Sequence, residues 1–113
     1  MRLPTEMRRG ILKLVIIKKI HGGEVYPYAI AKAIIGSRHL ASLVGAPDMA
    51  ALKNDVYNAI NTLEHEGYIR LRGVTSTHGR KKKHYLLTRK GAKVIERAKR
   101  LIRRAMGELL MEI

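Results

Sequence analysis

Residues 54–91 read NDVYNAINTLEHEGYIRLRGVTSTHGRKKKHYLLTRKG, and their periodicity changes twice. Val56, Ala59, Ile60 and Leu63 recur at helical spacing, so the segment opens as an amphipathic helix with one buried side. Gly67 ends it. Tyr68-Ile69-Arg70-Leu71-Arg72 then alternates apolar with basic residues, as a half-buried strand does. Thr75 to Gly79 is turn chemistry, and Lys83 to Leu87 reads as the returning strand. Thr88 stands where a residue would cap a final helix running towards Ile113.

Upstream, Thr5 is placed to cap a helix with apolar residues from Ile11 to Ile20, closed by Gly22-Gly23. Tyr26-Pro27 opens a second helix, with proline in the first turn where its missing N–H costs nothing, and Gly36 stops it. Residues 37–47 read as a loop with a short helical turn around His39–Val44. Asp48 can cap a third helix reaching Glu66, or Asn54 a shorter one; a break near Lys53 is the favoured reading. The expected order is helix, helix, helix, hairpin, helix. The fold class is mainly α with a small β-hairpin: a winged helix-turn-helix over residues 1–88 and a C-terminal dimerisation helix over 89–113.

The chain has 113 residues and no cysteine, which excludes disulfides, thiolate catalysis and zinc fingers. Its longest apolar runs, Leu14 to Ile17 among them, are too short to span a bilayer, and no secretory leader pattern is expected at its start. A cytoplasmic, nucleoid-associated setting with no membrane partner is therefore expected. The net charge is +14, of which residues 67–107 alone carry +13. Such a balance calls for a polyanionic partner.

On the third helix Asn54, Asn58, Asn61, Thr62 and His65 share the polar side, with Lys53 and Tyr57 beside it. Asparagine pairs bidentately with adenine in the major groove but is a poor helix former, so three on one exposed side favour base reading over simple solvation. His78, Arg80, Lys81, Lys82 and Lys83 form a basic wing tip suited to phosphates or the minor groove. Arg89 and Lys90 oppose the dipole of the last helix, a conflict that nearby phosphate would relieve. That helix carries two apolar seams: Val94, Ala98, Leu101 and Ala105, and Ile102, Met106, Leu109 and Ile113. The second seam is the expected dimer contact; the first can pack on the domain's own first helix.

The five histidines lack metal-site spacing, and there is no nucleophile constellation, paired carboxylate or phosphate-cradling glycine loop. No cofactor, no metal and no enzymatic activity are expected.

Three segments together resemble the PadR-like family of winged-helix transcriptional regulators: Tyr26 to Ala33, Asp55 to Ile69, and Arg80 to Gly91 with its Leu87-Thr88-Arg89-Lys90-Gly91 ending. The resemblance implies a homodimer built through the terminal helices, the third helix in the major groove and the wing on flanking DNA. Pro27 replaces the usual glycine, and residues 37–52 are longer than the family pattern needs. Some relatives hold aromatic effectors with tryptophan; this chain has none, so an effector is not carried over. The expected function is sequence-specific regulation at a palindromic operator. An architectural protein that coats DNA with little sequence preference is the alternative.

Overall fold

Asp48 settles the start of the third expected helix: its carboxylate accepts a hydrogen bond from the Ala51 amide at 2.8 Å. In the computed structural model, which describes residues 4–23, 26–45 and 48–112, that helix runs unbroken from Met49 to His65. The break favoured near Lys53 does not occur. Leu52 lies on the same stripe as Val56, Ala59, Ile60 and Leu63, and it is wholly buried. Burying such a side chain is worth ~1.5–3 kcal/mol, which exceeds the ~0.7 kcal/mol that an asparagine costs in a helix.

The elements are α1 (Thr5–His21), α2 (Pro27–Ile35), α3 (Arg38–Val44), α4 (Met49–His65), β1 (Ile69–Thr77), β2 (Arg80–Leu87) and α5 (Arg89–Glu112). The expected third helix is thus α4, because residues 37–45 fold as a short helix of their own. Ser37 caps it by accepting from the Leu40 amide at 3.3 Å. Gly45 closes it in a left-handed conformation, φ 68°, and Val44 anchors it in the core. The extra length of 37–52 is spent on α3 and the first turn of α4. Thr5 is not a cap: α1 starts at Thr5 behind Pro4, and the Thr5 hydroxyl instead accepts from the Arg8 guanidinium at 3.1 Å.

The chain is mainly helical with a two-stranded antiparallel hairpin, the expected winged-helix class. The core lies where α1, α2, α4, the base of the hairpin and the root of α5 meet. Ile16, Ile30, Ile34, Leu52, Ile60 and Ile69 are its largest wholly buried residues alongside Leu63.

The hairpin is longer and its turn tighter than the sequence suggested. Only His78 and Gly79 form the turn, both at positive φ (52° and 74°), and Thr77 pairs with Arg80. Such two-residue turns match the right-handed twist of the strands, which lets Thr75-Ser76-Thr77 and Arg80-Lys81-Lys82 join the ladder. The pairing slips between Leu71 and Gly73, leaving Arg72 as a bulge between the half-buried base and the exposed wing.

The start of α5 is fixed to the end of α4. The Thr88 hydroxyl donates to the Gly67 carbonyl at 2.6 Å and accepts from the Gly91 amide at 3.2 Å. A Cβ on Gly91 would overlap the Tyr68 carbonyl oxygen, which already accepts from the Thr88 amide. Ile95 is buried and Val94 half-buried against the domain. Further along, α5 projects, and the molecule measures 57 × 33 × 21 Å.

Candidate nucleic-acid interface

The α4 stripe opposite its buried residues presents Asn54, Asn58, Asn61 and His65, all exposed. Helical spacing places these four in one row about 16 Å long. Thr62, expected among them, is half-buried, and its hydroxyl donates back to the Asn58 carbonyl at 3.1 Å. That bond occupies its hydrogen within the helix. Asn58 and Thr62 also border an open groove of about 490 Å³ between α4 and α1, whose cationic walls are Arg8, Arg9 and Lys13. Lys13 reaches Glu66 at 3.7 Å.

On the other flank of α4, Tyr57 is 46% exposed and Lys53 lies over the Tyr28 ring, 5.7 Å from its centroid. Tyr28 belongs to the first turn of α2. Its N-cap, Tyr26, makes no side-chain cap bond. Among the described residues, then, no side-chain acceptor caps the first amides of α2, and a helix N-terminus of this kind favours an anion.

The wing joins the same corner. The Lys82 ammonium is 5.0 Å from the Tyr26 ring centroid, and the His84 imidazole meets that ring edge-on at 5.9 Å. Thr75 Oγ1 and His84 Nε2 are hydrogen-bonded at 2.8 Å across the two strands. His78, Arg80, Lys81, Lys82 and Lys83 are all exposed. The basic run is not a turn, as the sequence suggested, but part of β2, so its members alternate between faces. Arg80 and Lys82, opposite Thr77 and Thr75, share the face of His84; Lys81 and Lys83, opposite Ser76 and Val74, occupy the other.

Tyr26, Tyr28 and His84 thus enter the candidate surface although their residue types did not single them out. A tyrosine on each side of a helix-opening proline was the available signal. Lys90 leaves it. Its ammonium donates to the Glu66 carbonyl at 2.7 Å and covers the Tyr68 ring at 4.4 Å. The C-terminus of α4 adjoins the N-terminus of α5, so for Lys90 the dipole conflict is answered inside the chain; Arg89 stays exposed.

On α5, Leu101, Met106, Leu109 and Leu110 are 51–67% exposed. Of the residues expected at a dimer contact, Met106 and Leu109 are therefore available; Ile113 and the Ile102 side chain lie outside the described residues. Of the first seam, Val94 packs on the domain and Ala98 is half-buried, whereas Leu101 and Ala105 are exposed. Among the described residues no helix is long and apolar enough to cross a membrane, and no three His, Asp or Glu side chains gather as metal ligands.

An exposed polar helix row and a basic two-stranded wing are thus carried on a winged-helix scaffold. The family model of the PadR-like transcriptional regulators matches residues 11–97. The chain belongs to that family, whose members are DNA-binding regulators of transcription. No curated protein sequence matches it. A crystal structure of a Thermoplasma acidophilum protein assigned as a transcriptional regulator is similar, with a TM-score of 0.65 at 18% identity, covering 98% of this chain and 99% of that one. A PadR family transcription regulator from Clostridium difficile gives 0.63 at 21%, covering 88% and 97%. Another from Eggerthella lenta gives 0.61 at 25%, covering 93% and 86%.

Proposed function

We propose that the chain acts as a homodimer reading a palindromic duplex operator, with α4 in the major groove and the wing on the backbone or minor groove. The observation that carries this reading is the exposed row Asn54, Asn58, Asn61 and His65, flanked by Tyr57 and Lys53; Lys53 lies over Tyr28 and the wing's Lys82 over Tyr26, two residues away. Asparagine there has no structural use that a better helix former would not serve, whereas adenine edges match its amide. Arg80, Lys82 and the N-terminus of α2 would position the helix on phosphates, which carry affinity but little sequence information.

Residues 1–88 would then be the reading domain and residues 89–113 the dimer helix. Leu109 and Met106, more than half exposed, would be covered by the partner's α5. Hydroxyl-radical footprinting tests the reading. Two protected half-sites related by two-fold symmetry, about 34–36 Å apart, are expected. Leu109→Glu should dissociate the dimer in sedimentation and reduce protection to an isolated half-site. A footprint without symmetry would contradict the dimeric operator.

The architectural reading retains one specific observation: the charge of residues 67–107 extends well beyond the row that could read bases. A protein that coats DNA would protect every duplex alike.

A further inference from the structure

Five cations of α5 fall on one side of the helix: Arg89, Lys93, Arg97, Arg100 and Arg104, all exposed. Their spacings of 4, 4, 3 and 4 residues keep them within an arc of about 80° and a length of about 22 Å. That length covers roughly six base-pair rises of duplex DNA. Neither nearby acid neutralises the row as a whole. Glu96 is turned to Lys99, outside it, at 3.8 Å, and Glu108 reaches only the last member, Arg104, at 3.5 Å.

The row faces away from the domain. Ile95, on the opposite side of α5, is buried in the core, and Val94, on the flank, packs against it; Ala98 is half-buried. Helix α1 packs against both α4 and α5, and the row is on the exposed side of α5, away from the buried Ile95. The apolar residues expected at a dimer contact also lie on the side of α5 opposite the row, so dimerisation would leave it open. A single straight duplex against α4 and the wing would therefore not neutralise these five charges.

We infer that the outer face of α5 is a second duplex-binding surface, which lets one dimer hold two DNA segments at once. The inference rests on the DNA-binding reading of α4 and the wing. The matching chemistry is guanidinium to phosphate: four of the five residues are arginines, whose planar fork pairs bidentately with phosphate oxygens. Such contacts carry no base specificity, so the second segment need not contain an operator.

The test is duplex capture. A biotinylated duplex of about 25 base pairs, long enough for two half-sites one helical turn apart, is immobilised with the protein and offered a fluorescent duplex. The wild type should capture it. The R97Q/R100Q/R104Q variant should bind the first duplex within about twofold of wild type and lose capture by about tenfold or more, and R97K/R100K/R104K should restore most of it. Because the chain has no cysteine, Arg100→Cys accepts a single iron–EDTA group, which should cut the captured duplex in preference to the immobilised one.

Binding of the first duplex without capture of a second overturns this inference and leaves the operator reading standing. Equal capture by the glutamine variant overturns it too. Parallel loss of both bindings would place the row on the same duplex as α4. Retention of the row on phosphatidylglycerol vesicles without capture would assign it to a membrane surface. No binding of the first duplex would remove the DNA-binding reading itself.

Discussion

The Lys82 ammonium lies 5.0 Å from the centre of the Tyr26 ring, joining the wing to the first turn of α2. His84, two residues along the same face of β2, touches that ring from its edge and is fixed by Thr75. The wing is therefore not a loose basic loop. One of its faces is docked beside a helix N-terminus, and the other points away from it.

That asymmetry predicts unequal effects of charge removal. R80A/K82A should weaken binding to all duplexes and lower the salt slope by up to about 2, roughly 1 per lost phosphate contact. K81A/K83A should do less. Salt titrations of both variants check this, and equal slopes would show that the two faces of the wing serve alike.

Asn58→Ala should relax specificity at one operator position, at a cost of ~1–3 kcal/mol for the preferred base. Thr62→Val should change specificity much less, because the threonine hydroxyl already donates to the Asn58 carbonyl. Binding to a panel of singly substituted operators separates the two.

Gly91→Ala should be destabilising although it lies at an ordinary helix position. Its new methyl would meet the Tyr68 carbonyl, and relieving that overlap means loosening the bond from the Thr88 amide. Overpacking of this kind costs ~1–3 kcal/mol, which corresponds to roughly 5–20 °C in thermal midpoint for a domain of this size. A midpoint unchanged from wild type would show that α5 moves away freely.

Tyr85 predicts an alkaline limit. Burial pushes its phenol above the ordinary value of 10.0, and the charges of Glu64 and Tyr57 push the same way. The folded chain thus keeps this proton to higher pH than the unfolded chain. Its contribution is full below pH 10 and is lost as pH rises through the folded value. Tyr85→Phe should flatten the fall of stability above pH 10 relative to wild type in denaturant titrations; the same alkaline slope in both would exclude Tyr85 as its source.

Much of this was legible in the residues themselves. Val56 to Leu63 marked the helix, the alternation from Tyr68 to Arg72 marked the strand, and Thr88 marked the cap of α5, because each pattern reflects contacts made nearby in the chain. The misreadings have physical causes. The break expected near Lys53 weighed the preference of Asn54 for caps above the burial of Leu52, which depends on tertiary contacts. The expected wing turn is wider than the real one because Thr75, Ser76 and Thr77 suit turns and strands equally, and cross-strand pairing decides between them. Tyr26 and His84 are 58 residues apart, and Lys90 meets Glu66 across two strands, so neither relation has a local signature.

The most direct test of the central claim is fluorescence-anisotropy binding to a selected duplex and to random duplex at two salt concentrations. One sequence should bind about 10³-fold or more tighter than random at moderate salt, with Asn58→Ala eroding that ratio. Equal binding of all duplexes with a steep salt slope would contradict it, and the α4 row would then be a solvated surface on a protein that coats DNA.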